Sequence, residues 1–216
     1  MSSSKLLRWS GLAFLLAGIL LPLSWYIRFA EGDSGNPATV TSALYVTEHT
    51  LAIIGVILML LGLVGIYGRQ IRETGRTGLV GFLALFTGTA LLGGLLFFES
   101  YVVPAIAATT PSLHEETLFN VPALLVPAIV LSAFNLLGFL LFGIAMIRAN
   151  VLPRLAALLF IIGGVLYSPG PNQLPWIVFT IGTTLVGIAQ IWLGYTLFSD
   201  QREQAPIVAK EMQRVV

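Results

Sequence analysis

The sequence predicts an all-α membrane protein, a bundle of six transmembrane helices, from three observations. First, 56% of the 216 residues are hydrophobic and only 10% are charged, against roughly 25% charged residues in soluble domains. Second, the apolar residues form continuous runs close to the roughly 20 residues that a helix needs to cross a bilayer, without the alternation of a β-barrel. Third, the basic residues gather in alternate connecting segments, as the positive-inside rule requires.

Six apolar segments define the predicted helices in chain order. They are Leu6–Phe29, Ala43–Tyr67, Leu79–Phe98 with an apolar continuation to Ala108, Val121–Ile147, Leu155–Tyr167 and Trp176–Phe198. The first is predicted to be an uncleaved helix, because Arg28 stands where a signal-peptide cleavage site needs small residues. The fifth is too short for a normal bilayer core, and prolines follow it at once. Residues 1–198 are thus predicted to be the transmembrane domain and residues 199–216 a cytoplasmic tail.

The basic residues predict the orientation of the bundle. An even number of helices puts both termini on one side, and all of the 11 Lys and Arg residues except Arg28 fall on that side. The other side collects acidic residues, namely Glu31, Asp33, Glu48, Glu99, Glu115 and Glu116. We therefore expect an integral protein of a bacterial inner membrane with both termini cytoplasmic. The lipid bilayer is its expected surrounding, with a protein partner or a second copy beside it. The net charge of +1 argues against nucleic acid.

A weak threefold repetition runs along the chain. Each odd-numbered helix follows an arginine of the cytoplasmic side, and each even-numbered helix ends in a Leu- and Gly-containing stretch. Three tandem helical hairpins would explain this pattern. The alternative is the Leu- and Gly-rich composition that membrane helices share.

Ionisable residues near the outer boundary are the first candidates for a site, because charges within a membrane are costly. His49, Glu99, His114 and Glu115 offer nitrogen and oxygen ligands that suit zinc, iron or manganese. His49 and His114 could also hold a haem. The spacing argues against a metal, because His49 has no second ligand three or four residues away on its helix.

A structural role for the same residues is the alternative. Arg28 is expected to pair with Glu48 or Glu99, which would neutralise a charge at the membrane boundary. Glu115 with Ser112 is typical of a capping box at the start of a helix.

The middle of the predicted bundle is polar but uncharged. Asn135 and Gln190 lie there, and we expect each to form hydrogen bonds to a neighbouring helix. The absence of a central charge argues against an ion pump and leaves a carrier of a neutral solute open.

The sequence contains no hydrolase Gly-x-Ser-x-Gly motif and no cysteine, so we expect a protein that is not an enzyme. The favoured function is an accessory or interaction subunit, or a binder of an apolar ligand or lipid. A metal- or haem-binding protein with its site near the outer face, and a carrier of a neutral solute, are the alternatives.

Overall fold

A computed structural model describes residues 3–31, 36–110, 122–168 and 175–214, and these residues contain helices and turns but no strand. The helices are α1 (Ser3–Glu31), α2 (Pro37–Val40), α3 (Ala43–Gln70), α4 (Gly75–Phe97), a π-helical segment (Phe98–Val102), α5 (Val103–Thr109), α6 (Pro122–Ala149), α7 (Arg154–Tyr167) and α8 (Trp176–Arg214). The predicted ligands His114 and Glu115, with Ser112, lie outside the described residues.

Five of the described helical stretches are long and apolar enough to cross a membrane. They belong to α1, α3, α4 with its continuation to Thr109, α6 and α8. The predicted fifth segment forms α7, an apolar helix of only 14 residues. The chain is thus a helical membrane bundle, as its composition predicts.

The long helices pack against their neighbours in antiparallel pairs. α1 makes its most extensive contacts with α3 and α8, α4 packs on α6, and α7 packs on α8. Smaller contacts join α3 to α4 and α6 to α7. The central core is aromatic, since Phe160 lies with its ring centroid 6.2 Å from that of Phe14 and 4.8 Å from that of Phe139. Segments next to each other in sequence therefore also pair in space.

Glycine pairs bring the backbones of α1 and α8 together. A Cβ atom added to Gly18 would lie 2.6 Å from the Gly187 carbonyl oxygen, and one added to Gly194 would lie 2.6 Å from the Gly11 carbonyl oxygen. Small residues are the usual means of close helix packing in a membrane, where water does not drive helices together. These two pairs close the bundle by joining its first and last long helices.

A single π-helical turn separates α4 from α5. The Val103 amide donates to the Phe98 carbonyl, five residues back, instead of to the usual partner four residues back. Pro104 follows, and a proline ring in an α-helix clashes with the carbonyl four residues before it, here that of Ser100. The wider turn accommodates the proline, and such turns often mark functional sites. It also sets the direction in which Glu99 leaves the helix.

The two short helices α2 and α5 cover one end of the bundle. Val40 of α2, Tyr45 of α3, and Val103 and Ala107 of α5 form a small buried apolar cluster there. We call this end, which the sequence predicts to face outward, the α2 end. At the opposite end α8 continues without a break past the predicted tail boundary to Arg214.

Candidate functional site

Four ionisable side chains from three helical segments meet beneath the α2 end. Arg28 lies in the last turn of α1, Glu48 and His49 lie in α3, and Glu99 lies in the π-helical segment. Ser42 fixes the start of α3, because its hydroxyl accepts a hydrogen bond from the Tyr45 amide at 3.0 Å. We call Arg28, Glu48, His49 and Glu99 the charged cluster.

The guanidinium of Arg28 joins the other two segments. Its Nη1 donates to Glu99 Oε2 at 3.2 Å and lies 3.3 Å from His49 Nε2. The same Nε2 lies 3.1 Å from Glu99 Oε2. Arg28, His49 and Glu99 therefore form a triangle of mutual contacts that links α1, α3 and the π-helical segment.

The other ring nitrogen of His49 faces its own helix. Nδ1 lies 3.0 Å from the Tyr45 carbonyl oxygen and 2.6 Å from Glu48 Oε1. The contact with Tyr45 is a hydrogen bond, which Nδ1 donates to the carbonyl oxygen. Glu48 Oε1 accepts no hydrogen bond of good geometry from the described residues. Its short contact with Nδ1 is best described as the approach of two groups of opposite charge when the ring is protonated.

The charged cluster is buried on one side and partly open on the other. The His49 side chain is 0% exposed and that of Glu48 is 3% exposed, whereas Arg28 and Glu99 are 17% and 21% exposed. The Tyr45 ring covers His49 at a centroid distance of 4.1 Å. Arg28 and Glu99 are thus the members of the cluster that can be reached from the surface.

Among the described residues, this arrangement does not suit a metal ion. The guanidinium of Arg28 occupies the space beside His49 Nε2 and Glu99 where a cation would bind. Among the described residues, no group of three His, Cys, Asp or Glu side chains could hold a metal ion. His49 Nε2 is also engaged by Glu99, which leaves it unsuited to activate a serine hydroxyl.

A second site, a small and mainly apolar cavity bordered by a few polar side chains, lies near the middle of the bundle. Its volume is about 20 Å³, which is room for one water molecule, since a water needs about 10–15 Å³. All five long helices and α7 contribute to its wall, through residues that include Trp25, Met59, Thr89, Asn135, Tyr167 and Gln190. We call it the central cavity.

The polar side chains of the central cavity form few hydrogen bonds among the described residues. Gln190 is 0% exposed, and neither its Nε2 nor its Oε1 has a hydrogen-bond partner among the described residues. Thr89 Oγ1, also buried, has none there either. Asn135 Nδ2 donates to the Leu131 carbonyl of its own helix at 3.0 Å. Among the described residues, no hydrogen bond joins Asn135 or Gln190 to a neighbouring helix, and the expected bonds between helices stay a prediction.

One aromatic residue connects the two sites. The Trp25 ring lines the central cavity, and the Arg28 guanidinium lies 5.2 Å from its centroid. The edge of the Phe179 ring packs on Trp25 at 4.7 Å. The position of Trp25 could not be predicted, because the local sequence pattern does not show which ring lies beside a cavity.

The sequence also gave no signal for a buried amide at the other end of α3. Gln70 is 0% exposed, and its amide has no hydrogen-bond partner among the described residues. It stands beside basic residues in a polar turn, where sequence alone indicates solvent. Its burial depends on tertiary packing.

Known proteins do not suggest a function for this chain. No protein-family model, curated protein or solved structure matches the chain. The fold defines its class as a multi-pass helical membrane protein. The charged cluster and the central cavity are the features on which a function can be proposed.

Proposed function

We propose that the protein binds a small, uncharged, hydrogen-bonding molecule in the central cavity and carries it across the membrane. The observation that carries this proposal is the fully buried side chain of Gln190, a residue of the cavity wall whose amide donor and acceptor are unpaired among the described residues. An unpaired buried group costs about 1–3 kcal/mol. A ligand that pairs with Gln190 and Thr89 recovers that free energy.

The wall of the central cavity supports an uncharged ligand. Its polar side chains are amides, hydroxyls and an indole, and the described residues that line it include no Asp, Glu, Lys, Arg or His; the polar residues are Trp25, Thr89, Asn135, Tyr167, Thr183 and Gln190. A free ion would need such a counter-charge in a membrane interior. The small volume supports a ligand or ligand group the size of water, ammonia or a hydroxyl group. This favours a binder of a polar molecule over the binder of an apolar ligand or lipid, and over the accessory subunit.

The location of the cavity supports a carrier. Carriers commonly bind their substrates near the bilayer midplane, where helices from both parts of the fold meet. Here each long helix and α7 reaches the same cavity. The antiparallel pairs α1–α3, α4–α6 and α7–α8 are compatible with six crossings in three hairpins, with α7 as the short fifth crossing.

Permeability of proteoliposomes tests the proposal. Purified protein is reconstituted, and stopped-flow light scattering and an internal pH dye measure the entry of water, urea, glycerol and ammonia. We expect at least one to enter faster than into protein-free vesicles. Gln190→Met keeps the side-chain length but removes both hydrogen-bonding atoms, and should reduce that rate about fivefold for the loss of about 1 kcal/mol.

A matched control lies on the same helix. Thr196 is partly exposed, and its hydroxyl bonds to the Trp192 carbonyl at 3.0 Å, so Thr196→Val removes a polar group of α8 away from the cavity. This variant should retain the wild-type rate. If no solute enters faster than into protein-free vesicles, the carrier is refuted. If Gln190→Met raises thermal stability and leaves every rate unchanged, Gln190 does not bind the solute.

The absence of cysteine allows a direct test of the proposed topology. We propose six crossings with both termini in the cytoplasm of an inner membrane, which places Asn36 outside and Glu73 inside. Both residues are exposed in short connections between helices. A membrane-impermeant maleimide applied to intact cells should label Asn36→Cys and not Glu73→Cys. The opposite pattern would invert the topology, and equal labelling of both would refute the crossing of α3.

A further inference from the structure

Nε2 of the His49 imidazole has a suitable hydrogen-bond partner both when it carries a proton and when it does not. Nε2 lies 3.1 Å from Glu99 Oε2 and 3.3 Å from Arg28 Nη1. A protonated Nε2 donates to the carboxylate, whereas an unprotonated Nε2 accepts a hydrogen bond from the guanidinium. Nδ1 faces only acceptors, the Tyr45 carbonyl and the Glu48 carboxylate, so it keeps its hydrogen in both states. The ring can therefore gain or lose one proton without losing a hydrogen bond.

The charges of the cluster balance when His49 carries that proton. Arg28 contributes one positive charge, and Glu48 and Glu99 each contribute one negative charge, which leaves −1 with a neutral ring and zero with a protonated one. Uncompensated charge is costly at the edge of a membrane. The protonated cluster is thus a neutral unit.

Among the described residues, the other titratable groups near His49 add negative charge or none. On α1, Glu31 interacts electrostatically with Arg28, Glu48 and His49 and adds a negative charge. On α3, the neighbour is the phenol of Tyr45, and on the π-helical segment Tyr101 is exposed. The covering helices α2 and α5 contain no titratable residue.

The charged cluster lies beneath the α2 end, and Trp25 joins it to the central cavity. Glu99 is 21% exposed, whereas His49 is fully buried, so Glu99 is the route by which a proton from the surface would reach Nε2. Protonation exchanges the Arg28 contact of Nε2 for the Glu99 contact. Arg28 also lies over Trp25, which forms part of the cavity wall one helical turn away. A change in the position of Arg28 is therefore transmitted to that wall.

We propose that Arg28, Glu48, His49 and Glu99 bind one proton from the outer side, and that this proton is coupled through Trp25 to ligand binding in the central cavity. The proton adds to the Nε2 lone pair, and no other covalent bond forms or breaks. The proton site stands on its own geometry, whereas the coupling rests on the proposed function. By linkage, each bound species changes the affinity for the other by the same factor.

Nuclear magnetic resonance can follow the proton directly, because the chain has only two histidines. In His114→Gln protein labelled with ¹⁵N-histidine, the ring signals of His49 should show one reversible titration between about pH 4 and 10. Glu99→Gln removes the acceptor of the protonated ring and should move the midpoint to lower pH. Glu73→Gln, an exposed carboxylate in the turn at the opposite end, should leave the midpoint unchanged.

The link to the cavity is read from Trp25. With 5-fluorotryptophan in the four tryptophan positions, the ¹⁹F signal of Trp25, assigned with Trp25→Phe, should shift with the midpoint of His49. The signal of Trp9, which is exposed at the amino-terminal end of α1, is the internal control. Glu99→Gln should move the Trp25 midpoint together with that of His49.

Each outcome decides one part of the proposal. His49 ring signals that stay constant over the whole pH range would overturn the proton site. A titrating His49 with an unmoved Trp25 signal would overturn the coupling alone. If His49 and Trp25 titrate together but Gln190→Met leaves solute entry unchanged, the proton site is supported and the proposed function fails.

Discussion

A close backbone contact between α1 and α8 gives a quantitative prediction for Gly18→Ala. The added methyl group would lie 2.6 Å from the Gly187 carbonyl oxygen and 2.9 Å from Gln190 Cβ. Because a backbone atom cannot rotate away, the two helices must separate, and such overpacking costs about 1–3 kcal/mol. The alanine regains about 1 kcal/mol of helix propensity. We expect an overpacking cost at the upper end of that range, so the free energy of unfolding should fall by about 1–2 kcal/mol after the gain in helix propensity.

Thermal unfolding in mild detergent, followed by tryptophan fluorescence, measures this loss. For a chain of this size 1 kcal/mol corresponds to about 2–4 °C, so Gly18→Ala should lower the melting temperature by about 2–8 °C. The matched control is Gly94→Ala on α4, where no described heavy atom lies within 4 Å of the added Cβ. The control should melt at or slightly above the wild-type temperature. A Gly18→Ala protein as stable as the control would refute the close packing of α1 on α8.

Three further predictions concern the charged cluster, the aromatic core and one turn. Arg28→Gln and Glu99→Gln should each lower the melting temperature. The double variant should lose less stability than the sum of the two single variants, with a coupling of about 1 kcal/mol or more in a double-mutant cycle. Strictly additive losses would contradict the contact between Arg28 and Glu99. Phe160→Ala removes a fully buried ring and should cost about 3–5 kcal/mol in denaturant unfolding; a loss below about 1 kcal/mol would show that the ring is not in a packed core. Gly75 has a φ of +57° with no described atom near an added Cβ. Gly75→Ala should therefore lose about 1–2 kcal/mol from backbone strain alone, and an unchanged melting temperature would contradict that conformation.

Helices and their approximate bounds could be predicted from hydropathy because a membrane imposes a length and an apolar composition on each span. The short fifth segment was predicted for the same reason and appears as α7. The π-helical turn could not be predicted as such. A proline at position 104 signals a disturbed helix, but the choice between a kink and a wider turn depends on tertiary packing.

The two sites differ in how far the sequence could predict them. The expectation that Arg28 pairs with Glu48 or Glu99 followed from the cost of a lone charge, and the structure places Arg28 against Glu99. The central cavity could not be predicted, because it is a gap between helices distant in sequence. The expectation for Gln190 assumed that a buried amide always finds a protein partner, and its environment is instead the wall of a cavity.

An experimental density map that resolves ordered water would show whether the Gln190 amide binds a small polar molecule. We expect density in the central cavity within hydrogen-bonding distance of the Gln190 amide and the Thr89 hydroxyl. This density should be absent in Gln190→Met. A map in which the Gln190 amide bonds directly to a neighbouring helix, with no density between Gln190 and Thr89, would show that Gln190 binds no such molecule.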